Sequence, residues 1–166
     1  MTALTWTMAF LLEIFGFVTT TAEGNAAKIR MTGRETLRGL TQVHVLIENL
    51  DDDELKAGLT KDQIKVDTEL RLRKARIKVV DDDQSYLSVR VTAIADAETG
   101  RWSFAVAVTM NQPGELTRTR RPFTADTWGT GGLWTADNSQ FLLAVRQAVG
   151  DSVDKFINDY LAANQK

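Results

Sequence analysis

The sequence predicts an α+β fold: a two-layer sandwich with two helices packed on one face of a mixed sheet of four or five strands, in the order β-α-β-β-β-(β)-α. Three observations carry this prediction. Apolar and polar residues alternate in separate stretches, the spacing of half-buried strands. A central and a closing stretch repeat apolar residues at the period of a helix. The 166 residues, 43% hydrophobic and 25% charged, suffice for one ordinary core.

Taken in order, Leu4 to Val18 form the most apolar window, and the small residues Thr19 to Ala22 follow before the polar Glu23. This pattern reads as a signal peptide over residues 1–22, with Thr20 and Ala22 suited to the peptidase pocket, and it implies a periplasmic or secreted protein. Two features depart from that pattern: no Lys or Arg precedes the window, and Glu13 lies inside it. An uncleaved amphipathic helix is the alternative, since Trp6, Phe10, Ile14 and Phe17 recur at helical spacing. The window falls short of the about 20 residues a membrane span needs, so no span is expected.

Residues 23–41 are polar, punctuated by glycine and without sustained period, and read as a mobile lead-in to a single domain over 42–164. Val43, Val45 and Ile47 alternate with Gln42, His44 and Glu48 as a first strand, with Leu46 the apolar exception on its outer face. Thr60 stands three residues before Gln63, a capping pattern that opens a helix over about 61–76. Ile64, Val66, Thr68, Leu70 and Leu72 also alternate as a strand would, but Glu69 to Ala75 are all good helix formers. Ile77, Val79 and Val80 make a second strand, which a crossover connection places parallel to and beside the first.

Leu87 to Ala95 and Trp102 to Met110 form two long antiparallel strands about a polar loop containing Gly100. Beyond Gln112-Pro113-Gly114 the run to Trp128 is either a new strand after a turn or an edge strand carrying a bulge. Phe141, Val145, Ala148, Val149, Ser152, Phe156 and Tyr160 share one face of a closing helix. The second face of the sheet carries Ser88, Arg90, Thr92, Ser103 and Thr109 and can meet water.

Residues 39–80 (GLTQVHVLIENLDDDELKAGLTKDQIKVDTELRLRKARIKVV) and 127–164 (TWGTGGLWTADNSQFLLAVRQAVGDSVDKFINDYLAAN) resemble a group of uncharacterised exported bacterial proteins. The resemblance is most specific in ELRLRKARIKV and VDKFINDYLA, and with the hairpin between them it spans about three-quarters of the chain. It implies export and a single domain, and brings no activity with it. More loosely, the element order is similar to small α/β domains of periplasmic lipoproteins that assist envelope assembly. That is a likeness of fold, which does not carry function.

Composition narrows the function classes. The absence of Cys excludes disulfides, thiolate metal sites and cysteine nucleophiles. A net charge of -2 with mixed signs gives no field for nucleic acid, and Arg118, Arg120, Arg121 and the Arg71 to Arg76 cluster do not make a groove. His44 and Glu48 share a strand face, but no motif for nucleophilic or metal-assisted hydrolysis accompanies them.

Two groups remain as candidate sites. Asp51, Asp52 and Asp53 follow the first strand, and Asp81, Asp82 and Asp83 follow the second. If the strands are parallel neighbours, these acids leave one sheet edge together and could hold Ca²⁺. Neither run has the spacing of a calcium loop, and solvated loops whose acids aid solubility and cap helix starts are the favoured reading. Trp128, Gly131 and Trp134 fit a flexible loop gripping a sugar ring or a partner's side chain. Burial statistics favour instead core-capping tryptophans with glycines making a turn. The reading that follows is an exported, non-catalytic binding or assembly module for a protein or glycan of the envelope, needing no cofactor. The alternative is a calcium-dependent module or hydrolase centred on the acidic loops.

Overall fold

The computed structural model describes residues 33–165. The signal-peptide reading and the first part of the lead-in, residues 23–32, lie outside the described residues. The described chain is an α+β sandwich. Its strands are β1 (Gln42–Ile47), β2 (Lys78–Val80), β3 (Tyr86–Asp96), β4 (Arg101–Glu115) and β5 (Pro122–Asp137), and its helices are α1 (Asp52–Lys56), α2 (Lys61–Lys74) and α3 (Phe141–Asn164). The sheet order is β2-β1-β3-β4-β5.

β1 pairs parallel with β2 on one side and with β3 on the other, as the crossover argument requires for the first two strands. β3, β4 and β5 form an antiparallel meander. α2 settles its own ambiguity: Ile64, Thr68 and Leu72 are buried, whereas Val66 and Leu70, which a strand would bury with them, are 62% and 48% exposed. Thr60 Oγ1 accepts from Gln63 N at 3.3 Å and opens the helix as the spacing predicts.

Both readings of the stretch after Gln112 hold in part. β4 runs on through Pro113 to Glu115, a turn follows, and β5 begins at Pro122, with a register shift beside Met110 and Asn111. Proline is tolerated there because it lies near the strand end.

The core lies between the sheet and the two long helices. Trp102 stacks on Phe141 at 4.1 Å between ring centroids, and Phe104 meets the edge of Phe141 at 5.8 Å. α2 and α3 approach closely because Gly150 leaves room for the Arg71 guanidinium, which bonds Asp154 at 2.6 Å; a Cβ at Gly150 would lie 2.5 Å from Arg71 Nη2. Residues 33–41 of the lead-in are tied to α3. Leu37 is fully buried, Tyr160 Oη donates to Leu40 O at 2.9 Å, and Asn164 Nδ2 donates to Leu37 O at 2.9 Å.

One buried acidic side chain closes a gap in the sheet. β1 stops pairing with β3 at Val89, which leaves the Ala93 amide without a strand partner on that side. Glu54, fully buried on α1, accepts from Ala93 N at 2.7 Å and from Asp51 N at 2.6 Å. A carboxylate bonded by two amides is stable where an unpaired one would not be.

Candidate functional site on the open sheet face

The helices cover one face of the sheet, and alternate residues of the same strands line the other. On that open face a recess of about 350 Å³ is bounded by Leu46 and Glu48 at β1, Tyr86, Ser88 and Arg90 of β3, Ala107, Thr109 and Asn111 of β4, and Asp126 of β5. The strand register builds it: Tyr86 stands opposite Asn111, Ser88 opposite Thr109, and Arg90 opposite Ala107.

Its polar groups are held in place. Glu48 accepts from Arg90 Nε at 2.6 Å and from Ser88 Oγ at 2.7 Å. The Arg90 guanidinium holds the Glu48 carboxyl below its ordinary value of 4.5; burial opposes that shift and the Ser88 hydroxyl reinforces it. Glu48 in turn holds Arg90 above its ordinary value. Asn111 is 92% buried by its 8% exposure, and its Nδ2 donates to Thr109 Oγ1 at 3.2 Å. Asp126 makes no ion pair or hydrogen bond through its carboxylate among the described residues. Ala107 leaves the floor low between these groups. The recess thus offers one bonded guanidinium, one paired carboxylate and one open carboxylate.

The acidic runs are not brought together. β1 and β2 are parallel neighbours, but β2 ends at Val80 opposite His44, and the following link returns across the start of β1. Asp83 accepts from Gln42 Nε2 at 2.6 Å and from Ser85 N at 2.9 Å, bonds that keep its carboxyl below its ordinary range. Asp51, Asp52 and Asp53 instead open α1, which Glu54 fixes to Ala93, seven residues along β3 from Tyr86. At strand rise that is roughly 20 Å away. Asp81 and Asp82 are exposed beside Asp83. Among the described residues, no three His, Asp or Glu side chains converge on a metal position.

The glycine segment is a strand and not the expected loop. Trp128, Gly131 and Trp134 all lie on β5. Trp128 is 5% exposed, meets the edge of Phe156 at 5.2 Å and donates to Asp159 Oδ2 at 3.0 Å. Trp134 stacks on Phe104 at 5.8 Å. Gly131 faces the other way, where a Cβ would lie 2.4 Å from Val106 O. The glycines that suggest a loop serve close approach between neighbouring strands.

His44 and Glu48 do not form a pair: His44 Nδ1 lies 3.3 Å from Val80 O, while Glu48 is engaged by Arg90 and Ser88. Sequence reasoning placed Ser88, Arg90 and Thr109 on the open face but missed Tyr86, Asn111 and Asp126. Only the continuation of β4 past Met110 and its pairing with β5 put those residues on one surface.

No protein-family model and no curated protein matches the chain. Among solved structures it is similar to a minor lipoprotein from Acinetobacter baumannii, at 12% identity and a TM-score of 0.37, over 74% of this chain and 91% of that one. It is also similar to rare lipoprotein B from Shewanella oneidensis, at 14% identity and a TM-score of 0.35, over 72% of this chain and 94% of that one. Both are distant likenesses of architecture.

Proposed function

We propose that this domain is a non-catalytic binding module of the bacterial envelope that docks a protein partner on the open face of its sheet, with the recess around Glu48 and Arg90 as its anchor. The observation that carries this reading is the recess itself. Ser88 and Asn111 are nearly buried yet polar, and they open onto a surface that no helix among the described residues covers. Two such groups on an open face serve recognition better than stability, because exposed polar residues bonded to water would satisfy the face as well. Asp126 selects for a cationic or amide donor on the partner, and the Glu48–Arg90 pair fixes its orientation. The envelope assignment is supported by the leader-like first residues and by the resemblance to exported proteins.

Photo-crosslinking in the producing bacterium tests this reading. A photoreactive residue at Thr92 or Thr109 is expected to capture a discrete partner, and Arg90→Ala is expected to remove that adduct while leaving the fold intact. The same residue placed at Val66, exposed on α2, is expected to capture nothing specific. Adducts from Val66 and none from the open face would move the interface to the helices.

A further inference from the structure

The two edges of the sheet are protected very differently. β2 is three residues long and carries Lys78, and short, charged edges resist pairing with other chains. β5 is sixteen residues long, and no charged residue falls between Asp126 and Asp137. Its first part is covered. Thr36 Oγ1 donates to Thr127 O at 3.1 Å, and Gly33 sits so close that an added Cβ would lie 2.8 Å from Trp128 Cα. From Gly129 to Asp137, among the described residues, no backbone bond is made on the side away from β4. A row of alternating N–H and C=O groups is complementary to another extended strand.

We propose that Gly129–Asp137 pairs antiparallel with the same segment of a second copy of this chain, about a two-fold axis at Leu133, joining two five-stranded sheets edge to edge. The register follows from the ends of the open segment. It starts where the Gly33–Thr36 turn stops covering the edge and finishes where Asn138 begins the next turn, and Leu133 is its midpoint. In this register Gly129 faces Asp137, Thr130 faces Ala136, Gly131 faces Thr135 and Gly132 faces Trp134, so three of these four pairs set a larger residue against a glycine. Leu133, 74% exposed in the single chain, faces its own copy and gains an apolar neighbour. A register centred between Gly131 and Gly132 would instead set Asp126 against Asp137 at both ends, and like charges directly opposite are unfavourable. This inference is independent of the open-face reading, because it uses the edge and its tests touch no residue of the recess.

Sedimentation of the whole chain over a range of concentrations is expected to show a monomer–dimer equilibrium; a monomer throughout overturns the proposal. Because the chain has no Cys, Leu133→Cys introduces a single thiol. Residues opposite each other on the axis of an antiparallel pair have Cα atoms about 4.5–5.5 Å apart, within disulfide reach, so mild oxidation is expected to link the dimer. Thr135→Cys lies four positions along the strand from its own copy, roughly 13 Å, and is expected to stay unlinked under the same oxidation. Linking at Thr135→Cys equal to or above that at Leu133→Cys overturns the register. Leu133→Lys, at an exposed position, is expected to leave the circular-dichroism spectrum of the fold unchanged and shift the population to monomer. A dimer that survives this change while Leu133→Cys stays unlinked has its interface elsewhere and overturns the proposal.

Discussion

The two faces of the sheet are made from the same strands, yet they are held by different physics. Toward the helices, Leu87, Val89 and Val91 of β3 and Phe104, Val106 and Val108 of β4 are buried in the core and fixed by packing. One residue further along each strand, Ser88, Arg90 and Thr109 point the other way and are fixed by hydrogen bonds and one ion pair. The period of two separates the tasks: a strand can change one face with little effect on the other. Stability is concentrated on the helix side, which leaves the open face available for recognition.

The largest expected effect attacks the packed face. Phe104→Ala removes a ring that touches both Phe141 and Trp134 and should cost about 3–5 kcal/mol, while Thr92→Ala on the open face of β3 should fall within about 0.5 kcal/mol of the parent. Urea denaturation measures both, and comparable losses would dissolve the distinction between the faces. Next comes the seam where α1 closes the sheet. Glu54→Ala leaves the part-buried bond from the Asp51 amide and the buried one from the Ala93 amide without their acceptor, for an expected loss of about 2–4 kcal/mol. Hydrogen exchange at Ala93 should accelerate in that variant beyond what its global stability explains; unchanged protection would mean another group replaces the carboxylate.

The smallest effect belongs to the open face and depends on pH. The folded-state pKa of Glu48 lies below its ordinary value of 4.5, so its contribution is complete above that value and disappears as pH falls through the lowered one. Arg90→Ala should bring the Glu48 titration, followed by carboxyl NMR, back toward the ordinary range and remove that part of the acid dependence. Because the Arg90 side chain is 62% exposed, salt should weaken the difference. A Glu48 titration indifferent to Arg90→Ala would show that the recess is not organised by this pair.

Much of the fold was legible because its signals are periodic. Alternation marked β1, β3 and β4, the Thr60–Gln63 spacing opened α2, and the face from Phe141 to Tyr160 marked α3. The parts that were not legible lack a period or depend on distant partners. Glycines at 129, 131 and 132 hid β5, since they remove the side chains that alternation is read from. α1 has five residues, too few to repeat a pattern. Glu54 sits in an acidic run that reads as solvated, and only the unpaired Ala93 amide, 39 residues away, explains its burial. The acidic runs diverge because the link between β2 and β3 crosses back over β1, a topological fact with no local signature. The recess was half visible for the same reason: its β3 residues follow from alternation, and its β4 and β5 residues follow from pairing.

The bonds from Tyr160 to Leu40 and from Asn164 to Leu37 join positions 120 and 127 residues apart. During synthesis, Leu37 waits for a further 127 residues to be made before the bond from Asn164 reaches it. The fold therefore cannot lock progressively from Leu37 onward; final closure is reserved for the last turns of α3, and a chain cut short before Tyr160 would lack the clasp that holds residues 37–40 against that helix.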